Sequence, residues 1–493
     1  MTPTVLSNYW NGAFTPSAAD RTLDVENPST GEVISRVPLS PPEEVDRAVR
    51  AAAAAFPAWR ATPVARRVQP LFRLAERLRQ EEEALCRILV AEMGKSLPDA
   101  RAEMKRAIEN VEAATAMPLI QVGEVLTGAS FEMDGEVLPM PLGVFGMIAP
   151  YNFPAMVPFW FLPYAVATGN TFVLKPSERV PNTMQRIFEI LDEVGLPPGV
   201  VSMVHGDRTT AEALIDHPDV RGISFVGSTA VARQVAIRCA TLGKRCQAFG
   251  SAKNHLVVMP DAPMDEAIRN MVTSCYGCAG QRCMAASVIV AVGSRTCREV
   301  LDRFLDASRK VSVGNPLDPR FADEAMLMGP VISARHRQSI LDRIAEGVRE
   351  GATLALDGRG LVVPDCPGGH FLGPTVLADV RPGMACHRQE IFGPVVAVME
   401  VASFDEAIRV INDHPYGNGA SLYTRSGYWE RRFKMEAQAG MLGINVGIPA
   451  PVAFLPFGGT RASMLSDIKA QGREVVRFFT ESRIVTRRFW PED

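Results

Sequence analysis

Between Val137 and Leu174 the chain carries no charged residue, and this run limits its folding options more than any other feature. On length alone it could cross a bilayer. Proline, however, stands at positions 139, 141, 150, 154, 158 and 163, with Asn152 and Asn170 between. A spanning helix must satisfy its own backbone groups, and prolines at that density break it. The run therefore reads as buried strands and a buried helix. Composition agrees, since 47% hydrophobic and 22% charged residues are globular values that exclude disordered and collagen-like chains. The length of 493 residues suggests two or three domains. Lys and Arg total 52 against 55 Asp and Glu, so no basic excess favours nucleic acid. Met1 to Phe14 lacks the basic start and apolar core of a signal peptide. Nine irregularly spaced cysteines make no disulfide framework, and their odd number leaves one free, as suits a reducing, cytoplasmic setting.

The N-terminal region reads as a small β element with turns at Asn11-Gly12 and Asn27-Pro28-Ser29-Thr30-Gly31. Helices are predicted over Glu44 to Trp59, Val64 to Glu92 and Leu97 to Ala116, with Gly94 and Pro98 parting the last two. After residue 140 strands and helices alternate. Strands are expected at Gly143 to Ala149, Thr171 to Leu174, Val200 to Val204 and Gly222 to Val226. The helices between and after them fall at Ala155 to Ala167, around Met184 to Leu191, near Thr210 to Ile215 and at Ala230 to Leu242. This order predicts a parallel sheet covered by helices on both faces, which binds ligands beyond its carboxyl strand ends. A second α/β unit, roughly 255 to 440, includes helices at Met264 to Cys278 and Arg298 to Lys310 and a strand at Ser287 to Val292. The tail from Glu474 to Arg488 alternates partly, as a late strand pairing with another subunit would.

Cys283, in Gly280-Gln281-Arg282-Cys283-Met284, lies on a loop between a predicted helix and strand. A thiol there can be exposed yet fixed, and Arg282 beside it would favour the nucleophilic thiolate; the alternative is a buried cysteine used for packing. Cys275 and Cys278 form a C-x-x-C, but no second ligand pair completes a zinc site, so packing is the simpler reading and no metal is expected. Lys175 and Glu178, at a strand end, could both bond a ribose diol, and the carboxylate would disfavour a 2′-phosphate, pointing to NAD. No G-x-G-x-x-G is present. Gly227-Ser228 could instead present backbone N–H groups to phosphate at a helix start. Asn152, among prolines, is either structural glue or an oxyanion donor.

Together these stretches resemble the aldehyde dehydrogenase superfamily over nearly the whole chain. Asn27-Pro28-Ser29-Thr30-Gly31-Glu32 is similar to its N-terminal turn, and Pro150-Tyr151-Asn152-Phe153-Pro154 to its oxyanion loop. Leu174-Lys175-Pro176-Ser177-Glu178 resembles the adenosine-ribose site and Phe225-Val226-Gly227-Ser228-Thr229 the pyrophosphate turn. Gly280-Gln281-Arg282-Cys283 resembles the nucleophile loop, and Glu390-Ile391-Phe392-Gly393-Pro394 the segment holding the nicotinamide ribose. The resemblance implies a Rossmann-type NAD domain (1–118 with 140–248), an α/β catalytic domain (249–440) and a small β oligomerisation element (119–139 with 466–493). It assigns Ala149, Tyr151, Lys175, Glu178, Gly227, Ser228, Phe249, Glu390 and Phe392 to the cofactor site. A homotetramer or homodimer is implied.

Hydrolytic members carry Glu-Leu-Gly-Gly-Lys ahead of the nucleophile, its Glu activating water. Here the stretch is Phe249-Gly250-Ser251-Ala252-Lys253, and a phenyl ring cannot accept a proton. That departure, with Ala252-Lys253-Asn254-His255 and Tyr416-Gly417-Asn418-Gly419, resembles the CoA-acylating methylmalonate-semialdehyde dehydrogenases. The resemblance implies attack by Cys283, oxyanion stabilisation by Asn152, and release of the acyl group to coenzyme A. Arg106 and Arg282 match the positions that would clamp a substrate carboxylate. Leu455-Pro456-Phe457-Gly458-Gly459-Thr460-Arg461 departs from this branch and looks like general aldehyde dehydrogenases. Release of a free acid is the alternative outcome, and a catalytically silent scaffold is a third.

Overall fold

A computed structural model of the chain describes residues 3–321, 324 and 326–491. The outermost residues of the expected first and third units, 1–2 and 492–493, and positions 322, 323 and 325 of the second, lie outside the described residues.

Two seven-stranded sheets organise the chain. In the first, Val144–Ile148 is central: Thr171–Lys175 and Val201–Met203 follow it to one side, and Val220–Val226 and Arg245–Phe249 to the other. These five strands run parallel, and Asn8–Trp10 adds antiparallel to Val201–Met203. Val144–Ile148 and Thr171–Lys175 are buried at every position, as strands covered on both faces must be. The uncharged run is thus sheet and buried helix. No helix among the described residues is long and apolar enough to cross a membrane.

The second sheet runs Thr353–Leu356, Thr375–Ala378, Val395–Val401, Ala286–Val292, Asn254–Val258, Gly419–Tyr423 and Met441–Ile444, parallel except at its first strand. It reaches past residue 440, one strand further than the expected catalytic span. A third sheet of three strands joins Glu124–Ser130, Met133–Pro141 and Thr480–Arg488.

Several elements are shorter than periodicity predicts. Val64 to Glu92 is three helices, Val64–Arg67, Gln69–Gln80 and Glu82–Met93, because Pro70 has no N–H to continue the ladder and the backbone leaves helical angles at Glu81. The helix expected over Ala155 to Ala167 breaks into Met156–Phe159 and Leu162–Thr168, with Phe161 at φ −126° ahead of Pro163. The tail begins as a buried turn of helix, Val475–Phe479, before its strand, and Phe478 and Phe479 pack edge-on against Phe145.

One junction matters for function. Helix Glu82–Met93 stops at Gly94, whose φ of +80° suits a residue without Cβ; a Cβ there would fall 2.7 Å from Pro330. Helix Leu97–Thr115 starts three residues later, its N-cap Ser96 hydroxyl accepting the Asp99 N–H. Lys95 is trapped between the two helix ends with its side chain wholly buried.

Candidate active site

Cys283 follows an unusual turn. After helix Met264–Tyr276, Cys278, Ala279 and Gly280 are all left-handed, at φ 52°, 53° and 71°. Two consecutive non-glycine residues in that region store strain that their surroundings must hold. Asp99 supplies the hold: its carboxylate accepts the Cys278 N–H at 3.0 Å and pairs with the Arg282 guanidinium, while Arg282 Nε donates to Cys278 Sγ at 3.2 Å. Gly280 lies so close to the next segment that a Cβ would sit 2.2 Å from the Gly393 carbonyl. Beyond the turn, the Cys283 carbonyl accepts from the carboxamides of Asn254 at 2.8 Å and Asn418 at 3.0 Å.

This overturns one expectation. Arg282 is not a free cation beside Cys283, since its donors serve Asp99 and the turn. Nor does it create a thiolate in the free protein. Burial, reinforced by the Glu390 carboxylate, pushes the Cys283 thiol up to about 12, and the opposing effect of Arg282 is smaller.

Asn152 arrives from the first sheet, on the loop after Val144–Ile148. Its carboxamide donates to the Gln281 carbonyl at 3.1 Å, which fixes one N–H and places the side chain two residues from Cys283 in the chain. Its own carbonyl accepts from Lys95 Nζ at 2.7 Å. Lys95 pairs with Glu103 at 2.5 Å, and Glu103 also accepts the backbone N–H groups of Ala155 and Met156. A buried ion pair thus holds the Asn152 loop.

A cavity of about 230 Å³ opens onto Cys283. Phe153, Met156, Trp160, Ile448 and Phe457 make its apolar wall, and Arg106, Arg282, Asp99 and Glu103 its charged groups. Arg106 reaches the cavity but also pairs with Glu109 at 2.7 Å. Phe249 closes its strand, only 3% exposed, in the apolar cluster that holds Met284 and against which Cys283 packs.

The other expected residues gather at the switch point of the first sheet, where strands leave Val144–Ile148 in opposite directions. Ala149 and Tyr151 follow that strand, Lys175 ends the next one with Nζ 2.7 Å from Glu178, and Gly227 and Ser228 follow Val220–Val226. Burial would raise the Glu178 carboxyl, but the Lys175 ammonium brings it below the usual range. Ser228 precedes helix Thr229–Thr241 without capping it by its side chain. The Thr229 N–H donates to the Ser251 hydroxyl at 3.3 Å. A switch-point crevice with a helix start at one side and a lysine–glutamate pair at the other has the form that accepts a dinucleotide.

Glu390 crosses from the second sheet, accepting the Ala252 N–H at 3.0 Å, and burial raises its carboxyl to about 7. Phe392, at φ 58°, sets its ring edge-on to Tyr151 at 5.9 Å. Burial, with the nearby Glu390 charge, raises the Tyr151 hydroxyl.

Cys275 is buried, and Cys278 Sγ accepts from Arg282 Nε within the turn. His255, His387 and His414 cluster closely enough to hold an ion. Yet His414 Nδ1 accepts the Tyr416 N–H and its Nε2 meets the His387 carbonyl, leaving it no lone pair to offer. Asp99, Lys95, Glu103, Gln281 and His336, which meets the Phe392 carbonyl at 2.8 Å, escaped the sequence reading. A signal existed for Glu103: with Asn110 it lies on the apolar stripe Ala100, Met104, Ala107, Val111, where a polar residue needs a partner.

Comparison with known proteins follows the same pattern. The chain is 45% identical over 486 residues to malonate-semialdehyde dehydrogenase 1 of Geobacillus kaustophilus, covering 99% of this chain and 98% of that one. It is 43% identical to malonate-semialdehyde dehydrogenase of Pseudomonas aeruginosa, over 96% and 94% of the two chains. The crystal structure of methylmalonate-semialdehyde dehydrogenase from Oceanimonas doudoroffii matches with a TM-score of 0.96 at 40% identity, covering 99% of each chain. A Sinorhizobium meliloti protein solved with NAD matches with a TM-score of 0.96 at 37% identity, over 100% and 99%. Residues 14–485 match the model of the aldehyde dehydrogenase family, and with the cysteine loop, the switch-point crevice and these full-length relatives, the chain belongs to that family.

Proposed function

We propose that the chain is an NAD-dependent, CoA-acylating dehydrogenase of malonate-type semialdehydes. The observation that carries the reading is a cysteine-bearing cavity whose Cys283 packs against the apolar cluster that holds Phe249, the residue standing in the chain where hydrolytic members carry a water-activating carboxylate. Relatives named for malonate and methylmalonate semialdehyde support the substrate class.

Cys283 Sγ attacks the aldehyde carbon, giving its proton to solvent as the thiolate forms. The Asn152 N–H left free by Gln281, with the Cys283 backbone N–H, receives the developing oxyanion. Ala149, Tyr151, Lys175, Glu178, Gly227, Ser228, Glu390 and Phe392 would hold NAD, with Phe249 beside them, and NAD supplies the acceptor for the aldehyde C–H hydride. A thioester remains on Cys283. Arg106, with the partly neutralised Arg282, orients the substrate carboxylate, which leaves as CO2, and CoA thiol takes the acyl group.

A CoA-omission assay tests this. Steady NADH formation from methylmalonate semialdehyde is expected only with CoA, with propionyl-CoA as product. Equal turnover without CoA sinks the reading and favours a second one. In that second reading Glu390, its carboxyl raised to about 7 near Cys283, activates water and a free acid is released.

Asn152→Ala is expected to lower kcat about 10²-fold with little change in KM, as loss of one oxyanion donor does. Initial rates at saturating NAD and CoA measure it, and a change confined to KM refutes the assignment.

The third sheet supports self-assembly as a homotetramer or homodimer. Thr480–Arg488 is an edge strand, Leu126 and Ile484 stand exposed on the sheet, and Phe131 stands exposed on the turn between its other two strands. A cytoplasmic site of action fits nine unpaired thiols.

A further inference from the structure

The cavity that opens onto Cys283 contains a carboxylate of the protein's own. Asp99 lines it beside Arg282 and Arg106. Burial would raise the Asp99 carboxyl, yet Arg282 and the Cys278 N–H hold it below the usual range, so it stays ionised. Arg282 is raised above its ordinary value by the same pairing, although burial opposes this. The nearer of the two arginines to the nucleophile in the chain is therefore largely neutralised before substrate arrives. Arg106, 40% exposed at its side chain, pairs with Glu109, which is 25% exposed.

This arrangement bears on the decarboxylation in the proposed function, on which the inference rests. In the Cys283 thioester the bond between the α-carbon and the carboxylate carbon breaks. Its electron pair moves onto the α-carbon and into the thioester carbonyl, CO2 leaves, and a proton from water completes the acyl group. The carboxylate loses its negative charge as CO2 forms, while charge grows on the thioester oxygen beside Asn152. A strong ion pair to the carboxylate stabilises the ground state and is lost in the transition state, so it slows this step. A weak one orients the group and lets it go.

We infer that Asp99 is a positioning residue that sets the strength of the carboxylate clamp: by neutralising Arg282 it keeps the substrate carboxylate loosely held, so that CO2 is lost before CoA takes the acyl group. The turn of Cys278 and Ala279 uses the same carboxylate, so a purely structural role is the competing account, and the readouts must separate the two.

The test uses the full-length chain carrying Asp99→Asn, which keeps the size and the acceptor for the Cys278 N–H while removing the charge. KM is measured for methylmalonate semialdehyde and for propanal, which has no carboxylate, and the CoA thioesters are resolved by mass spectrometry. The expected result is a KM for the semialdehyde that falls several-fold relative to that for propanal, with methylmalonyl-CoA appearing beside propionyl-CoA. Retained propanal turnover shows that the variant is folded. Parallel losses toward both aldehydes, or propionyl-CoA as the only thioester with no charge-selective change in KM, overturn the inference. If the unaltered protein makes no CoA thioester, the proposed function falls and takes the inference with it. Propionyl-CoA from the unaltered protein with no effect of Asp99→Asn sinks the inference alone.

Discussion

Cys283→Ala is expected to abolish aldehyde oxidation, lowering kcat by about 10⁴-fold or more, because it removes the thiol proposed to form the thioester. NAD binding, followed by calorimetry, is expected to persist, since the switch-point residues lie on the other sheet. The unaltered thiol carries a second expectation. Burial raises it to about 12, so in the free protein the nucleophilic thiolate is scarce at neutral pH and increases about tenfold per pH unit below that value. Alkylation by iodoacetamide without NAD should therefore accelerate steadily between about pH 6 and pH 9. A flat profile would mean that the thiolate is already formed and that Arg282, not burial, governs the site.

Lys95→Met should be the most destabilising single change near the site. Both side chains of the Lys95–Glu103 pair are wholly shielded from solvent, and removing one partner leaves a buried, uncompensated charge at a cost of about 3–5 kcal/mol. The denaturant midpoint should fall accordingly. Activity should also fall in the protein that remains folded, because the Asn152 carbonyl loses the ammonium that holds it at 2.7 Å. Adding Glu103→Gln removes the stranded charge while keeping an acceptor for the Ala155 and Met156 N–H groups. Stability should then recover in part and the rate should not, since Asn152 remains unanchored. Equal recovery of both would show that the pair stabilises the fold without positioning the loop.

Much of the architecture was legible. Fully buried apolar runs such as Val144–Ile148 and Thr171–Lys175 can only be central strands of a covered sheet, and their alternation with amphipathic helices leaves little topological choice. The strand-end residues Lys175, Glu178, Gly227 and Ser228 followed from that alternation. Element limits were less legible where proline and local backbone geometry compete with periodicity, as at Pro70 and Phe161. The Met441–Ile444 edge strand is short, and nothing in four residues marks which sheet will take it.

The candidate site was legible in the groups proposed to react and hidden in their supports. Cys283 and Asn152 announce themselves by residue type and setting, but the groups holding them come from distant segments. Asp99 lies 183 positions from Arg282, and Lys95 lies 57 positions from Asn152. Arg282 shows what this costs a reading of the chain alone. Beside Cys283 in sequence it looks like an activating cation, whereas in space Asp99 has already claimed it.

What the sequence by itself determined was the class of structure and the chemistry on offer: a two-sheet α/β chain, one placed thiol, and a phenyl ring where a base would sit. Those properties depend on local periodicity and side-chain type, which the linear order contains. Only the tertiary structure decided the state of those groups. Whether the thiol is ionised, whether an arginine is free, and which amide faces the nucleophile depend on burial and on partners across the fold. Electrostatic energies follow distance and solvent exposure, and neither can be read along the chain.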